Sequence, residues 1–522
     1  ESASVVVGGP GEVKPLILEG PRLYWRRYWD YEQRLARLLR TRVDAVADAR
    51  SPKDQAAQAA ALDALFRPSP GAAANPQRAA ARHILEHRLT ILLGGPGTGK
   101  TWTVARAIAA WLSTAKDGAR VRVTAPTGKA VARLQESLRR AAAMGGPALA
   151  PLAAVAEQAQ TLHRLLGIHP ATGRPRHDAA NPLPADLVVV DEASMVDLAL
   201  MAKLADALPA EAHWVLLGDR NQLAAVEAGS VLADLAAGIA ASEVSEASDP
   251  RNRPALASCG IELRENHRFG SDSGIHRASE AVNAGDADRA VAILRGASSD
   301  SSEPPELHPG NGAAVLRPLP PPADLARALR THVLESWGSG FATRDPAAAL
   351  AAAGGFRILA ALRRGPYGVE GLNALIENLL HAEGLAGGGP WYSGRPVLIT
   401  VNDPEAGLYN GDLGVVLPDA SGRPQVWFPG AASEPRRVPP SRLPPHETAF
   451  ALTVHKSQGS EFDRVLLILP DRMAPVLTRE LLYTGLTRAR HSAEIWSREP
   501  IFRQAVQRRT ERSSGLRERL EG

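Results

Sequence analysis

The chain has 522 residues, which is longer than a chain that usually folds around a single hydrophobic core, so roughly two to four domains are expected. Its 60 basic and 56 acidic residues give a formal net charge of +4, which permits a polyanionic partner without establishing one. A single cysteine, Cys259, excludes an internal disulfide and a cysteine-based metal cluster.

The sequence also limits where the protein is expected to act. It has no run of roughly eighteen apolar residues that would span a bilayer, so no membrane partner is expected. With one cysteine, the cytoplasm is the simplest compartment. The first residue is Glu1 and no secretion signal follows it, so we expect a further N-terminal piece in the full protein.

The first predicted element is a helical pattern over residues 1–70, which ends in the proline- and glycine-rich stretch RPSPGAAANP. We interpret this segment as a small separate N-terminal domain. Within it, Trp25, Tyr28, Trp29 and Glu32 fall at helical spacing. Aromatic residues at this spacing are usually core, but an exposed face that docks a partner fits the same pattern, and both interpretations can hold together.

Short, continuous apolar runs begin at Leu89 and are typical of strands buried on both faces. The runs LTILL, VRVTA, DLVVVDE and HWVLLGD alternate with helical stretches, which predicts an α/β fold with a parallel sheet over residues 71–270. FRILAAL, RPVLIT, DRVLLIL and SAEIW predict a second such sheet over residues 271–522. We interpret residues 236–262 and 296–312, rich in Ser, Pro, Gly and acidic residues, as surface insertion and linker.

The stretch GGPGTGKT matches the phosphate-binding pattern G-x-x-x-x-G-K-[ST], with a strand pattern before it and the helical WTVARAIAAWL after it. Its glycines let backbone amides wrap phosphates, and the following helix presents its N-terminus to them. The alternative, a plain glycine-rich turn, is disfavoured by this context. We therefore predict a site for ATP and Mg²⁺ at Gly94, Gly95, Pro96, Gly97, Thr98, Gly99, Lys100 and Thr101.

Further side chains complete the predicted nucleotide site. Lys100 is expected to reach the β- and γ-phosphates, while Thr101 and Asp191 hold Mg²⁺. Glu192 can orient or deprotonate the attacking water, although a solvated acidic turn after a core strand would have the same sequence. Gln222 in GDRNQL lies beyond a predicted strand end and can sense the γ-phosphate.

Other polar residues give weaker signals. Gln77, just before the first sheet, can read an adenine edge through its amide, but alone it would carry no meaning. The segments TAPTGKAVARL and TLHRLLG also follow strand or turn signals, and isolated Thr or His residues there are more often structural. The groups they offer to phosphates are Thr127, Lys129, Thr161 and His163.

Taken together, these segments resemble superfamily 1 DNA helicases of the 5′→3′ branch, and especially the RecD family. Besides the phosphate loop and DEASMVD, the chain contains GDRNQLAAVEAGSVLADL, HRFGSDSGI, RRGPYGVEGLN, LTVHKSQGSEFDRV and TRELLYTGLTRAR in the family's order. The resemblance spans nearly the whole chain. It implies tandem RecA-like P-loop domains and an ATP-dependent DNA helicase.

The resemblance also implies roles that spacing alone does not assign. Arg268 and Arg488 are implied to be arginine fingers that reach ATP from the second sheet domain. In TVHKSQG, the residues Thr453, His455 and Lys456 are implied to contact the DNA backbone and to couple it to ATP. Contacts to phosphate bind any sequence, which suits a protein that moves along arbitrary DNA.

Two smaller regions are also assigned through the resemblance. The strand patterns YNGDLGVV and PQVWFPG predict a small β insertion at about residues 394–448, and this insertion looks like the SH3-like subdomain of such helicases. The stretch at about residues 167–186 is similar to their short strand-separating pin.

The family implies RecB-like and RecC-like partner subunits in a heterotrimer that acts on single-stranded and double-stranded DNA ends in double-strand break repair and recombination. AAVEAG after GDRNQL looks like the complex-bound members, whereas members that work alone usually carry a proline-rich version. We see no acidic metal-binding cluster outside Asp191 and Glu192, so nuclease activity is expected on a partner. The alternatives are a stand-alone RecD-like helicase, an ATP-binding structural subunit and a generic P-loop switch.

Overall fold

A computed structural model describes residues 6–44, 52–66, 75–224, 229, 231–245, 255–270, 272–296, 312–403, 405–430, 434–510 and 514–521. These residues form four sheets, of which the six-stranded sheet and one of the two five-stranded sheets are parallel throughout. The prediction of two tandem parallel-sheet α/β domains is thus confirmed. None of the described helices is long and apolar enough to cross a membrane.

The N-terminal segment begins with a small sheet. Its elements are β1 (Val7–Gly8), β2 (Leu16–Glu19), β3 (Arg22–Trp25), α1 (Arg26–Asp44) and α2 (Pro52–Leu65). The helical pattern expected over residues 1–70 therefore starts only at Arg26. Before it, β2 and β3 form an antiparallel pair, and Gly20 turns the chain between them in a left-handed conformation (φ +56°). Trp25 ends β3 and is 64% exposed, whereas Tyr28 on α1 packs against the core.

The first parallel sheet has the strand order β6-β5-β7-β8-β4-β9. Its region contains α3 (Pro76–Glu86), β4 (Leu89–Gly94), α4 (Lys100–Thr114), β5 (Val121–Ala125), α5 (Gly128–Met144), α6 (Leu152–Glu157), β6 (Gln160–Thr161), α7 (Leu162–Leu165), β7 (Leu187–Val190), α8 (Leu198–Ala207), β8 (His213–Gly218), α9 (Val231–Ser245) and β9 (Gly260–Leu263). In β4, Ile91 and Leu93 belong to one buried cluster and Leu92 to another. Burial of alternate residues in different clusters explains why the strand is apolar throughout.

Strand β9 corrects the interpretation of residues 236–262 as a surface insertion. Helix α9 extends to Ser245, and the four residues of β9 pair in parallel with β4. A strand of four residues has too few apolar positions to stand out against the Ser- and Pro-rich sequence before it. Most of the predicted linker, residues 297–311, lies outside the described residues.

The second parallel sheet has the strand order β10-β19-β18-β11-β17. Before the β insertion, its region contains α10 (Gly274–Ala284), α11 (Ala287–Arg295), β10 (Ala313–Arg317), α12 (Leu325–Ala342), α13 (Pro346–Gly355), β11 (Phe356–Ala360) and α14 (Val369–Ala382). The insertion contains β12 (Pro396–Ile399), β13 (Leu413–Pro418), β14 (Pro424–Phe428), β15 (Arg436–Val438) and β16 (His446–Thr448). After it come β17 (Ala451–Thr453), β18 (Phe462–Ile468), α15 (Arg479–Leu486), β19 (Ala489–Trp496), α16 (Glu499–Gln507) and α17 (Leu516–Glu521).

The β insertion, predicted at about residues 394–448, contains a five-stranded antiparallel sheet. The run RPVLIT, expected in the second parallel sheet, instead forms β12 of this insertion. Val397 and Ile399 pack in the insertion's own core, while Leu398 packs in the core of the second parallel sheet. Burial on both faces gave β12 the continuous apolar sequence that is typical of parallel strands.

The two ends of the described chain meet on the first sheet domain. Leu35 and Leu39 of α1 belong to the same buried cluster as Leu516 of α17. That cluster also contains Met201 of α8 and Trp214 of β8, both fully buried. The first and last helices are therefore anchored on the domain that carries the phosphate loop.

A buried carboxylate in the second sheet domain gives a pH-dependent prediction. Glu494 accepts hydrogen bonds from Trp496 Nε1 (2.6 Å) and His332 Nε2 (3.0 Å), and it pairs with Arg317 (2.9 Å). Burial raises the pKa of this carboxyl group, but His332, Trp496 and Arg317 outweigh burial and lower the pKa overall. A lowered pKa stabilises the fold above the unfolded value of about 4.3, and the benefit is lost as pH falls through the folded value.

We expect Glu494→Gln to destabilise the protein by roughly 1–3 kcal/mol at pH 7, because the buried network loses the carboxylate charge and one of its two acceptor oxygens. Calorimetric melting should show this difference shrinking below about pH 4, where the wild-type carboxylate also becomes protonated. The exposed Glu335→Gln is the matched control. A destabilisation of Glu494→Gln that stayed constant down to pH 3 would contradict the prediction.

Candidate nucleotide and DNA site

The phosphate loop between β4 and α4 depends on its glycines. Gly97 (φ +85°) and Gly99 (φ +82°) take left-handed conformations that other residues adopt at a cost. A Cβ atom at Gly97 would lie 2.6 Å from Arg268 Cβ, and one at Gly94 would lie 2.6 Å from Thr98 Oγ1. The loop is thus a tight backbone cradle with no room for side chains at these positions.

Helix α4 begins directly at the end of this cradle. Gly99 is its N-cap residue and provides no side-chain hydrogen bond, so the first-turn amides remain available to an anion. Lys100 Nζ donates to the carbonyl oxygens of Gly94 (2.5 Å) and Gly95 (2.9 Å). The amides and the ammonium group therefore converge on the space where the loop is predicted to hold phosphates.

The acidic pair lies at the end of β7, next to the start of α4. Thr101 Oγ1 lies 3.5 Å from Asp191 Oδ2. Burial and repulsion from Glu192 raise the pKa of Asp191 to about 6. Two adjacent oxygens fit Mg²⁺, which binds one or two carboxylates and completes its shell with phosphate and water.

Glu192 has an unusual backbone conformation. Its φ of +52° is the only positive value among the described non-glycine residues. Such conformations cost free energy and cluster at functional sites, because the surrounding structure must hold them in place. The adjoining strand β7 is completely buried, and the Glu192 amide donates to Asp191 Oδ1 (2.8 Å). These two features hold the Glu192 backbone in this conformation and thereby set the positions of the two carboxylates.

The segment after β9 is fastened to the phosphate loop. Asn266 Nδ2 donates to the Pro96 carbonyl (3.0 Å), and the His267 amide donates to the Gly97 carbonyl (2.9 Å). Gln77 Nε2 lies 3.3 Å from the Thr98 carbonyl and 3.1 Å from His267 Nε2. Gln77 therefore reaches the edge of the predicted site from α3.

The position of Arg268 corrects one expectation. It was expected to reach ATP from the second sheet domain, but it follows β9, which is a strand of the first sheet. The predicted first domain, residues 71–270, already includes Arg268, so the role implied by the resemblance disagreed with the predicted boundary. Arg488 does belong to the second domain, between α15 and β19, where its guanidinium donates to the carbonyls of Thr484 (3.1 Å) and Ser460 (3.2 Å).

Glu461 joins the two domains and was missed by the sequence interpretation. Its carboxylate accepts from Arg268 Nη2 (2.5 Å) and lies 3.4 Å from Arg133 of α5 and 3.3 Å from Arg490 of β19. Burial raises the pKa of Glu461, but Arg133, Arg268 and Arg488 outweigh burial and lower it to about 2. The only sequence signal was its position directly after the SQGS stretch.

Two of the three first-domain residues predicted to bind DNA are helix caps. Thr127 accepts from the Ala130 amide (3.2 Å) at the start of α5, and Thr161 accepts from the Arg164 amide (3.4 Å) at the start of α7. Thr127 follows β5 and Thr161 is the last residue of the neighbouring parallel strand β6, so they lie at the same sheet edge. His163 is exposed beside them on α7.

One second-domain segment predicted to bind DNA, TVHKSQG, approaches Thr127 of the first domain through its Gly459. A Cβ atom at Gly459 would lie 4.0 Å from Thr127 Oγ1. Thr453 ends β17 and accepts from the Lys456 amide (3.2 Å), while Lys456 Nζ donates to Glu447 (2.7 Å). His455 precedes Lys456 in a short 3-10 turn. Because Gly459 of the same segment lies close to Thr127, the structure brings the predicted DNA-contacting segments of both domains together.

The β insertion also touches the first domain, a contact that the sequence interpretation did not anticipate. Arg164 Nη2 donates to the Tyr409 hydroxyl (2.8 Å), and its guanidinium lies 4.8 Å from the centre of the Tyr409 ring. Tyr409 also packs against Gly128, where a Cβ atom would lie 2.7 Å from Tyr409 Cβ. The insertion therefore covers part of the edge that carries Thr127 and Thr161.

The predicted pin at about residues 167–186 has no helix or strand. Its turn is closed by a hydrogen bond from the Gly173 amide to the His169 carbonyl (2.8 Å). Lys203 of α8 donates to the Gly173 carbonyl (3.0 Å), which holds this turn against the first domain. Its role in strand separation stays a prediction.

Known proteins match both halves of the site. Residues 77–228 match the family described as AAA domain, and residues 448–495 match the UvrD-like helicase C-terminal domain. The RecBCD enzyme subunit RecD of Mycolicibacterium smegmatis is 38% identical over 99% of this chain and 85% of its own length. The subunit of the same name in Haemophilus influenzae is 33% identical over 98% of this chain and 82% of its own length. The ATP-dependent RecD2 DNA helicase of Deinococcus radiodurans is 30% identical over 96% of this chain and 58% of its own length.

The tandem parallel sheets, the phosphate loop and the matched helicase domains define an ATP-dependent DNA helicase. Within that class, the chain belongs to the RecD family.

Proposed function

We propose that the chain is the 5′→3′ motor subunit of a RecBCD-type helicase–nuclease, acting in the cytoplasm on DNA ends during double-strand break repair and homologous recombination. The observation that carries this proposal is the contact across the cleft. Arg133 and Arg268 of the first domain both bind Glu461 of the second, beside the phosphate loop. Binding and hydrolysis of ATP at that loop therefore change the contacts that set the distance between the domains.

The proposed chemistry uses groups that the structure gathers at this loop. Lys100 exchanges the Gly94 and Gly95 carbonyls for β- and γ-phosphate oxygens. Thr101 and Asp191 would hold Mg²⁺, which would neutralise part of the phosphate charge. Glu192 orients the attacking water or accepts its proton.

Arg268 and Arg488 complete the proposed hydrolytic site. A guanidinium at the γ-phosphate stabilises the charge that develops in the transition state. Arg268 lies over the phosphate loop, and Arg488 comes from the other wall of the cleft. Gln222, on the loop after β8, supplies an amide that senses the γ-phosphate.

Movement along DNA follows from the arrangement of the two DNA-contacting edges. Thr127, Thr161 and His163 lie on one domain and Thr453, His455 and Lys456 on the other. Hydroxyl and ammonium groups bind backbone phosphates without reading sequence. Closing the cleft with ATP and reopening it after hydrolysis lets the two edges grip DNA in turn.

The partners are proposed from the relatives. The Mycolicibacterium smegmatis and Haemophilus influenzae relatives are named as RecBCD enzyme subunits, so we assign RecB-like and RecC-like partners to this chain, with nuclease activity on a partner. A stand-alone helicase is the second candidate, because the RecD2 helicase matches 96% of the chain. The RecBCD-type subunit is favoured since those relatives are matched over more of their own length.

Unwinding of forked duplexes tests the function. We expect ATP-dependent unwinding of a fork with a 5′ tail, little unwinding of a fork with only a 3′ tail, and faster unwinding when RecB-like and RecC-like subunits are added. The same duplex with blunt ends serves as the control for the isolated chain. A preference for the 3′ tail would refute the polarity, and full activity of the purified monomer would favour the stand-alone helicase.

A further inference from the structure

The short loop after β8 is held by the second sheet domain at three points. Asp219 Oδ2 accepts from the Tyr483 hydroxyl (2.8 Å), and the Leu223 amide donates to Thr484 Oγ1 (2.9 Å). Gln458 Nε2 donates to the Leu223 carbonyl (2.6 Å). All five of these residues are buried. The second domain therefore holds this loop, although the loop belongs to the first domain.

Tyr483 touches two parts of the nucleotide site at once. Its hydroxyl bonds Asp219, and it lies 2.9 Å from the position that a Cβ atom at Gly95 would occupy. Tyr483 lies on α15, whose next residue, Thr484, accepts a hydrogen bond from Arg488 through its carbonyl. A shift of α15 would thus move the phenol and the arginine together.

Asp219 fixes the orientation of Gln222. Its Oδ2 atom accepts from both Tyr483 and Gln222 Nε2 (3.3 Å), and its Oδ1 atom accepts from the Asn221 amide (3.0 Å). A carboxylate only accepts, so the nitrogen of the Gln222 amide must face it and the oxygen must point away. Gln222 Oε1 is buried and has no hydrogen-bond partner in the described part of the chain.

An unpartnered buried oxygen needs a donor, because leaving it unpaired costs free energy. In an ATPase site the attacking water is a donor of this kind, and a fixed amide oxygen would hold that water in line with the γ-phosphate. The orientation of Gln222 then depends on Asp219, and the position of Asp219 depends on the Tyr483 hydroxyl from the other domain.

We propose that Tyr483 is a positioning residue for ATP hydrolysis, whose hydroxyl reaches the first domain from the second and acts through Asp219 to orient the Gln222 amide. This inference rests on the proposed ATPase function and adds a specific route from the second domain to catalysis. The proposed role of Tyr483 runs through Asp219 and does not require a contact with the reacting atoms. It makes the hydrolytic step sensitive to the position of α15.

The test is Tyr483→Phe in the full chain, assayed alone and with RecB-like and RecC-like subunits. Phe keeps the ring and removes only the hydroxyl. We expect kcat of DNA-stimulated ATP hydrolysis to fall about tenfold, the equivalent of one hydrogen bond, while KM for ATP stays within about twofold. Tyr367→Phe is the matched control, because the buried Tyr367 also donates one hydrogen bond, to the Pro320 carbonyl (2.8 Å), within the core of the second sheet domain.

A double-variant cycle separates positioning from a general loss of packing. Asp219→Asn should lower kcat by at least as much as Tyr483→Phe, and the double variant should be no slower than Asp219→Asn, since both act through one hydrogen bond. Additive losses, an unchanged kcat of Tyr483→Phe or an equal loss in Tyr367→Phe would overturn the inference. If Asp219→Asn does not fold, kcat of Tyr483→Phe against Tyr367→Phe decides. Wild-type protein without DNA-stimulated ATPase would instead refute the proposed function, and the inference with it.

Discussion

Replacement of Lys100 by Gln is expected to abolish DNA-stimulated ATP hydrolysis while leaving the fold intact. The Nζ atom donates hydrogen bonds to the Gly94 and Gly95 carbonyls, so the hydrogen bonds lost in this variant are to backbone oxygens. Its positive charge also favours the ionised forms of Asp191 and Asp219, as Mg²⁺ would. Gln can still donate to a carbonyl, but it brings no positive charge to the phosphates. Because that charge is needed where negative charge develops, we expect kcat to fall by at least about a hundredfold.

Lys203→Gln is the matched control for this experiment. Lys203 also donates through Nζ to a backbone carbonyl, that of Gly173 (3.0 Å), but it lies on α8 away from the loop. Steady-state ATPase with single-stranded DNA, together with the melting temperature, should show lost turnover only for Lys100→Gln and a normal melting temperature for both variants. Preserved turnover in Lys100→Gln would refute the assignment of the phosphate loop.

The phosphate loop could be predicted from sequence because its determinants are local. The glycines that allow positive φ, the strand before them and the helix after them are all contiguous in GGPGTGKT and its flanks. The same holds for Asp191 and Glu192, which directly follow a buried strand. For such sites, the spacing along the chain fixes the geometry in space.

The arginine arrangement was harder to predict because it depends on pairing between distant strands. Arg268 follows β9, which belongs to the first sheet through its pairing with β4. The four residues of β9 have no hydrophobic pattern from which that pairing could be predicted. Glu461 lies 193 residues from Arg268 in sequence, and Tyr483 lies 264 residues from Asp219. Neither contact leaves a pattern within one segment, so only the folded arrangement reveals it.

The β insertion illustrates a limit of a different kind. Strand β12 was assigned to the wrong sheet because its apolar run reflects burial on both faces, whichever sheet supplies the neighbours. The N-terminal strands were missed because β2 and β3 are only four residues long, and the aromatic residues that follow them suggested a helix. Hydrophobic patterns report burial more directly than they report which element provides it.

The Arg268–Glu461 pair leads to the second prediction of large effect. Glu461 stays ionised at neutral pH, since its pKa is lowered to about 2, and it holds Arg268 through Nη2. The Nη1 atom of Arg268 is buried and has no hydrogen-bond partner in the described part of the chain. A guanidinium that is anchored on one side and unsatisfied on the other is oriented to bind an anion above the phosphate loop.

Arg268→Ala is therefore expected to lower kcat of ATP hydrolysis on the order of 10³-fold, with a much smaller change in KM for ATP, because the contact strengthens in the transition state. Arg268→Lys should not restore the rate, since an ammonium group does not bind Glu461 and a phosphate through a planar fork. Single-turnover hydrolysis with saturating DNA measures the chemical step directly.

Arg264→Ala is the control for this prediction, because Arg264 lies on the same segment and its side chain is 73% exposed beside Glu262. Arg268 is a cleaner probe than Arg488, which is 3% exposed and supports the carbonyls of Thr484 and Ser460, so its removal also weakens packing. If Arg268→Ala kept kcat within about tenfold of wild type, its contact with Glu461 would only hold the domains together. The transition-state charge would then have to be met by Arg488, and Arg488→Lys should show the larger loss.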